Sequence, residues 1–159
     1  MTWEASSPRE TPVPLEGEHI STDTRSTTDG ATTPHDRPRV AALRGATTLD
    51  ADTRDQVLER TTELLSAMLE RNRLGSADLI SLVFTATEDV HSEFPAAAVR
   101  EAGISDVPML CARELPIDGP SNISLCIRVL AHVHTDRARA DLRHAYLHGA
   151  RQLRSDLPE

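Results

Sequence analysis

Two arginines stand where a cation is costly to keep. Arg128 interrupts the apolar run SLCIRVLA, and Arg44 follows the apolar run Val40–Leu43 at the start of RGATT. A guanidinium taken out of water needs a partner, because the desolvation penalty amounts to several kcal/mol when it is unpaired. Glu93, Glu101 and Glu114 are the ordinary structural partners, and pairing of that kind is the simpler reading. An anionic ligand is the other, since two or three arginines converging on carboxylates make bidentate, orienting clamps. The histidines raise a metal hypothesis: His132 and His134 share one face of a strand, and His144 and His148 would lie one turn apart on a helix. No Cys-x-x-Cys or His-Glu-x-x-His spacing supplies further ligands, so surface or half-buried histidines are the better reading. Cys111 and Cys126 could be nucleophiles only beside an activating histidine, which nothing in the sequence arranges. Buried cysteines in strands are the commoner outcome.

The elements that must position these residues are legible from pattern. Val40–Leu43 reads as a short strand ended by Gly45. In LDADTRDQVLERTTELLSAMLERN, apolar Val57, Leu58, Leu64, Leu65, Met68 and Leu69 form one stripe on a helix of about five turns. Thr53 and Gln56 fit a capping box, and Gly75 is a plausible stop. Leu79–Ala86 reads as a buried strand, and Pro95 opens a short helix, PAAAVREAG, closed by Gly103. Val107–Ala112 is a third strand and Ile123–His134 a long fourth one. The stretch DLRHAYLHGARQLR is ambiguous between helix and strand by pattern. Strands interrupted by few helices predict an α+β domain with a mixed β-sheet, one long helix and one short helix.

Composition bounds the rest. With 159 residues the chain has room for one ordinary domain. Residues 1–39 carry seven apolar side chains and half of the ten prolines, so they are expected to form a disordered extension ahead of a domain at 40–159. The net charge is −8, with every basic residue an arginine, which argues against nucleic-acid binding by bulk electrostatics. Apolar stretches fall short of a membrane span, and Met1–Glu10 lacks the form of a signal peptide. Two cysteines make no disulfide framework, so a cytoplasmic protein is expected.

Five segments in order then form a pattern: RGATT (Arg44–Thr48), FPAAAVRE (Phe94–Glu101), VPMLCARE (Val107–Glu114), CIRV (Cys126–Val129) and RHAYLHGARQLRSDL (Arg143–Leu157). Together they resemble the AroH-type chorismate mutases, the monofunctional class I enzymes, over essentially all of residues 40–159 and none of the extension. The resemblance implies a homotrimeric pseudo-α/β-barrel with interfacial active sites, and a short extended segment near Tyr146. It implies conversion of chorismate to prephenate in aromatic amino acid biosynthesis (the shikimate pathway), with no metal and no organic cofactor. Arg128 would stabilise the ether oxygen of the substrate and touch a carboxylate; Arg44 and Tyr146 would bind carboxylate. Glu114 would accept from the ring hydroxyl, with Cys111 beside it. Phe94, Ala96 and Arg100 would close the pocket from a neighbouring subunit, and Leu153 and Arg154 match a C-terminal cover.

The chain departs from the family pattern at Ala97, where a basic residue is common, and at Leu110, where a small polar one is. The loop between Glu114 and Arg128 is longer than usual. The competing readings are a trimeric enamine or imine deaminase-like protein and a metabolite-binding module of similar architecture.

Overall fold

The computed structural model describes residues 38–119 and 123–154. The expected disordered extension therefore lies outside the described residues, apart from Pro38 and Arg39, as do Ser155–Leu157 of the last matched segment. The elements are β1 (Arg39–Thr48), α1 (Arg54–Asn72), β2 (Leu79–Ala86), α2 (Pro95–Glu101), β3 (Met109–Arg113), β4 (Cys126–Thr135) and β5 (Ala145–Tyr146). Short 3₁₀ turns occupy Ser76–Asp78, Arg139–Asp141 and His148–Arg154. The strands form one mixed sheet in the order β3-β2-β4-β1-β5. Its central pairs, β1 with β4 and β4 with β2, are antiparallel, and the outer pairs are parallel. This is the α+β architecture expected, with one long and one short helix.

Alternation along the strands divides the sheet into two faces. Leu43, Leu82, Phe84, Val129, Ala131 and Val133 are buried on the helical face, against Val57, Leu64, Leu65 and Met68 of α1. Leu58 and Leu69, at the border of the apolar stripe, are half-buried. The opposite face carries the cross-strand row Ala112, Thr85, Arg128, Ala46 and Tyr146.

Gly45 does not end β1. The strand runs through RGATT to Thr48, and Gly45 lies where α1 crosses closest. A Cβ there would collide with Met68 Sδ and stand 3.1 Å from Leu64 Cδ1 and 3.2 Å from Val129 Cγ1. Glycine marks a close approach here, not a turn.

The caps also differ in detail from expectation. Thr53 Oγ1 accepts from the Gln56 amide (3.3 Å), but the Gln56 side chain accepts from the Asp50 amide (2.9 Å), so only half of the capping box forms. At the other end α1 stops at Asn72, before Gly75. Arg73 takes the left-handed conformation (φ 55°), its amide donating to Glu70 O, while the Leu74 amide donates to Leu69 O (3.0 Å). α2 matches expectation, with Pro95 in its first turn and Gly103 (φ 85°) just beyond its end.

β3 starts at Met109, two residues later than the pattern suggested, because Pro108 has no N–H for the ladder. β4 starts at Cys126, because Leu125 holds φ 51° with its amide donating to Asp89 Oδ2 (2.8 Å). The ambiguous C-terminal stretch resolves as β5, parallel to Gly45–Ala46, followed by a 3₁₀ segment.

Candidate functional site

On the sheet face away from the helices, a cavity of about 580 Å³ is walled by Arg44 and Ala46 of β1, Val83 and Thr85 of β2, Arg128 and Leu130 of β4, Tyr146 of β5, and Leu153 and Arg154. The central position of β4 explains how Arg128 is held. Thr87 Oγ1 accepts from the Cys126 amide (2.9 Å) and donates to Asp89, whose other oxygen takes the Leu125 amide. The strand is thus fixed two residues before Arg128.

Arg128 pairs with Glu114, and Thr85 Oγ1 donates to the other oxygen of that carboxylate (2.6 Å). Of the three expected structural partners, Glu114 is the one used; Glu93 and Glu101 pair with Arg54 instead. Burial, and then the nearby Arg44 charge, push the Arg128 pKa down. Arg44 has no carboxylate partner among the described residues. The Tyr146 hydroxyl is buried without a hydrogen-bond partner among the described residues. Leaving such a group unsatisfied costs about 1–3 kcal/mol, so its position calls for an acceptor from a bound molecule. Among the described residues, three arginines (Arg44, Arg128 and Arg154) line this cavity against one glutamate, Glu114, so positive charge is in surplus there.

Tyr146 owes its position to a staple from α1. Buried Asn72 donates from Nδ2 to Met68 O and Arg143 O (2.7 Å each), and its Oδ1 accepts from the Arg143 amide (2.8 Å). The following segment is pinned at His148, which holds a positive φ of 51° while its Nε2 bonds Glu63 Oε2 (2.7 Å). Leu153 and Arg154 reach the cavity from that anchor.

The remaining expected site residues lie elsewhere in the chain. Cys111 shares the helical face with Phe84, opposite to Glu114, and with Phe94 it lines a separate cavity of about 360 Å³. Ala96 is buried in the core and Arg100 is exposed on α2. One chain therefore gathers Arg44, Glu114, Arg128, Tyr146, Leu153 and Arg154, and leaves Phe94, Ala96, Arg100 and Cys111 apart.

Two positioning residues escaped the sequence reading: Thr85, one of two polar residues (with Ser81) inside the apolar strand LISLVFTA, and His144, whose Nδ1 accepts from the Arg44 amide (3.1 Å). Three of the four candidate histidines have local partners, His132 Nδ1 with Ser81 Oγ (2.9 Å), His144 with Arg44 and His148 with Glu63, while His134 is exposed on β4. Among the described residues no group of three or more His, Cys, Asp or Glu side chains is placed to hold a metal ion. Burial, reinforced by Asp89, pushes the Cys126 thiol up to about 12, which removes it as a nucleophile near neutral pH. Among the described residues no helix is long and apolar enough to cross a membrane.

A mixed sheet backed by helices, with two arginines and a tyrosine hydroxyl converging on its other face, defines an α+β protein built to hold a small anion. Comparison with known proteins narrows the class. The family model for chorismate mutase type I matches residues 40–157. Over 119 residues the chain is 44% identical to chorismate mutase AroH of Thermus thermophilus, an alignment spanning 74% of this chain and 96% of that protein. Against chorismate mutase AroH of Bacillus subtilis (strain 168) the identity is 39% over 119 residues, spanning 74% of this chain and 92% of that one. A solved chorismate mutase from Clostridium thermocellum superposes with a TM-score of 0.67 at 42% identity, covering 71% of this chain and 99% of that chain. The chain belongs to the chorismate mutase type I family.

Proposed function

We propose that this protein converts chorismate to prephenate, as an isomerase of aromatic amino acid biosynthesis. The observation that carries the reading is the convergence of Arg44, Arg128 and the unpartnered Tyr146 hydroxyl on one cavity of a family member. The reaction is an intramolecular [3,3] rearrangement: one C–O bond of the enol-pyruvyl ether breaks as one C–C bond forms. No atom enters or leaves, and the reaction asks for neither proton transfer nor nucleophile.

Two contributions then remain for the protein. The flexible dicarboxylate must be held folded, which converts binding contacts into positioning. Arg44 and Tyr146 take carboxylate, and the surplus positive charge of the cavity's arginines matches a dianion. As the C–O bond lengthens, charge grows on the ether oxygen, and Arg128 beside it binds the transition state more tightly than the ground state. Glu114 orients Arg128 and accepts from the ring hydroxyl, itself steadied by Thr85. Leu153 and Arg154 cover the cavity.

The active assembly is a homotrimer with its sites between subunits. Two features support this: the separation of Phe94, Ala96, Arg100 and Cys111 from the arginines within one chain, and the exposure of Val40 (65%), Leu110 (57%) and Leu130 (36%) on the face that carries the site. A neighbour that covers this face brings its own Phe94 group to the cavity, with Cys111 and Arg100. Ala97, in place of a basic residue, weakens substrate capture without slowing the chemistry. Free Cys111 and Cys126 suit a reducing cytoplasm.

The test is direct. Purified protein mixed with chorismate should consume its ultraviolet absorbance and yield prephenate, identified as phenylpyruvate after acid treatment. Arg128→Gln keeps hydrogen-bonding capacity without the charge, and should lower kcat by about 10²–10³-fold, the usual loss for a transition-state oxyanion donor. Near-full turnover in that variant would overturn the electrostatic role. A trimer that is stabilised by chorismate yet produces no prephenate would identify a metabolite-binding module.

A further inference from the structure

The even residues of β1 direct their backbone groups away from β4. Ala46 O accepts from the Leu147 amide (2.9 Å), and the Arg44 amide donates to His144 Nδ1 (3.1 Å). By the two-residue alternation of an antiparallel pair, the Ala42 amide faces the same edge. β5 pairs with Gly45 and Ala46, so among the described residues no strand pairs with the first half of β1 on that side. A cavity of about 500 Å³ lies along it, lined among the described residues by Arg39, Arg44, Arg137, Arg139 and His144 and by no carboxylate. Val40 and Leu130, also in its wall, belong to the face assigned above to the subunit contact.

Four guanidinium groups on one wall run against a net charge of −8 for the whole chain. Concentrated around a concave surface, they focus a positive potential. His144 stands within that field: burial, then Arg44, Arg154 and Arg139, hold its pKa below the ordinary imidazole value. With Nδ1 engaged as an acceptor, the neutral ring carries its proton on Nε2 as a further donor.

We propose that this edge cavity is a second anion site for a small polycarboxylate, coupled to the catalytic cavity through Arg44 and Leu130, which line both. Forked guanidinium donors match carboxylate geometry, and the strand-edge amide and His144 Nε2–H add directional donors. The coupling rests on the substrate-binding role of Arg44 proposed above. An anion that engages Arg44 from the edge competes with the substrate carboxylate for one guanidinium. Its occupancy raises the apparent KM and leaves kcat unchanged, and chorismate weakens the anion by the same factor.

The experiment uses the full chain, with citrate as the probe polycarboxylate and sodium chloride at matched ionic strength as the control. Citrate should raise the apparent KM for chorismate by about fivefold or more, the low end of ordinary coupling between sites. It should also move the His144 titration, followed by NMR, to higher pH. Both effects should vanish in Arg137→Gln/Arg139→Gln, whose KM without citrate matches the parent; Arg139→Gln alone, at an exposed position, should weaken them. Citrate inhibition that survives in the double variant would locate citrate in the substrate's own cavity and overturn the inference. A His144 titration that citrate does not move would overturn it equally. Because the NMR readout needs no turnover, an active enzyme blind to citrate counts against the edge site alone, and a citrate-binding protein without turnover counts against the catalytic reading alone.

Discussion

His144 accepts the Arg44 amide through Nδ1, so it serves the site in its neutral form. Burial and the surrounding arginines depress its pKa in the folded protein. The unfolded chain therefore binds a proton at higher pH than the folded one does, and stability falls as pH drops below the ordinary imidazole value of about 6.5. Above that value the contribution is fully present. Thermal midpoints should decrease between pH 7 and pH 5.5, with a slope no steeper than ~1.4 kcal/mol per pH unit, the limit for one proton. His144→Asn retains an acceptor near the Nδ1 position and should flatten that part of the profile; an equally steep fall in the variant would assign the titration to another group. Neither this role nor that of Thr85 could be read from the sequence, because each depends on which residue lies across a strand pair or an edge.

Helix α1 positions the site through two contacts of different kinds. At Gly45 the helix rests on the sheet with no room for a methyl group, since the nearest obstacles include the Val129 and Leu64 side chains of the core. Gly45→Ala should therefore destabilise the fold by about 1–3 kcal/mol, the usual cost of overpacking, measurable by denaturant unfolding. At its C-terminal end Asn72, 1% exposed, makes three hydrogen bonds, one within the helix to Met68 O and two that tie α1 to Arg143 in the segment before Tyr146. Asn72→Ala removes the side-chain partner of the part-buried Arg143 amide and carbonyl, at a cost of about 0.5–1.5 kcal/mol per hydrogen bond lost. Under the proposed reaction it should also raise KM more than it lowers kcat, because Tyr146 loses its anchor while Arg128 keeps its strand. The sequence signalled α1 through its apolar stripe, but a glycine after an apolar run has the same signature whether it ends a strand or admits a helix.

At the scale of the whole molecule, the family match begins at residue 40 and β1 begins at Arg39, and we propose that the boundary between extension and domain falls at the start of this strand. Removing residues 1–37 deletes no residue of the proposed site. The truncated protein should keep kcat within about twofold, because every residue assigned to binding or to the transition state remains. A large loss of kcat would mean that the extension reaches the active assembly. Dilution provides the complementary test of the trimer. If sites form between subunits, specific activity should collapse at concentrations where sedimentation shows monomers, whereas a site complete within one chain would be indifferent to dilution.

Local chemistry was enough for most of the architecture. Apolar periodicity defined α1 and the strands, Pro95 and Gly103 bracketed α2, and the ordered motifs around Arg44, Glu114, Arg128 and Tyr146 pointed to the family. These features are written residue by residue and need no knowledge of what lies opposite. The tertiary structure decided what depends on register and face. Arg128 meets Glu114 and Thr85 because β2 and β4 pair as they do, and Cys111 falls on the helical face because a strand alternates every residue. Sheet order brings together groups separated by a hundred residues, as with Arg44 and His144. No local pattern encodes that meeting.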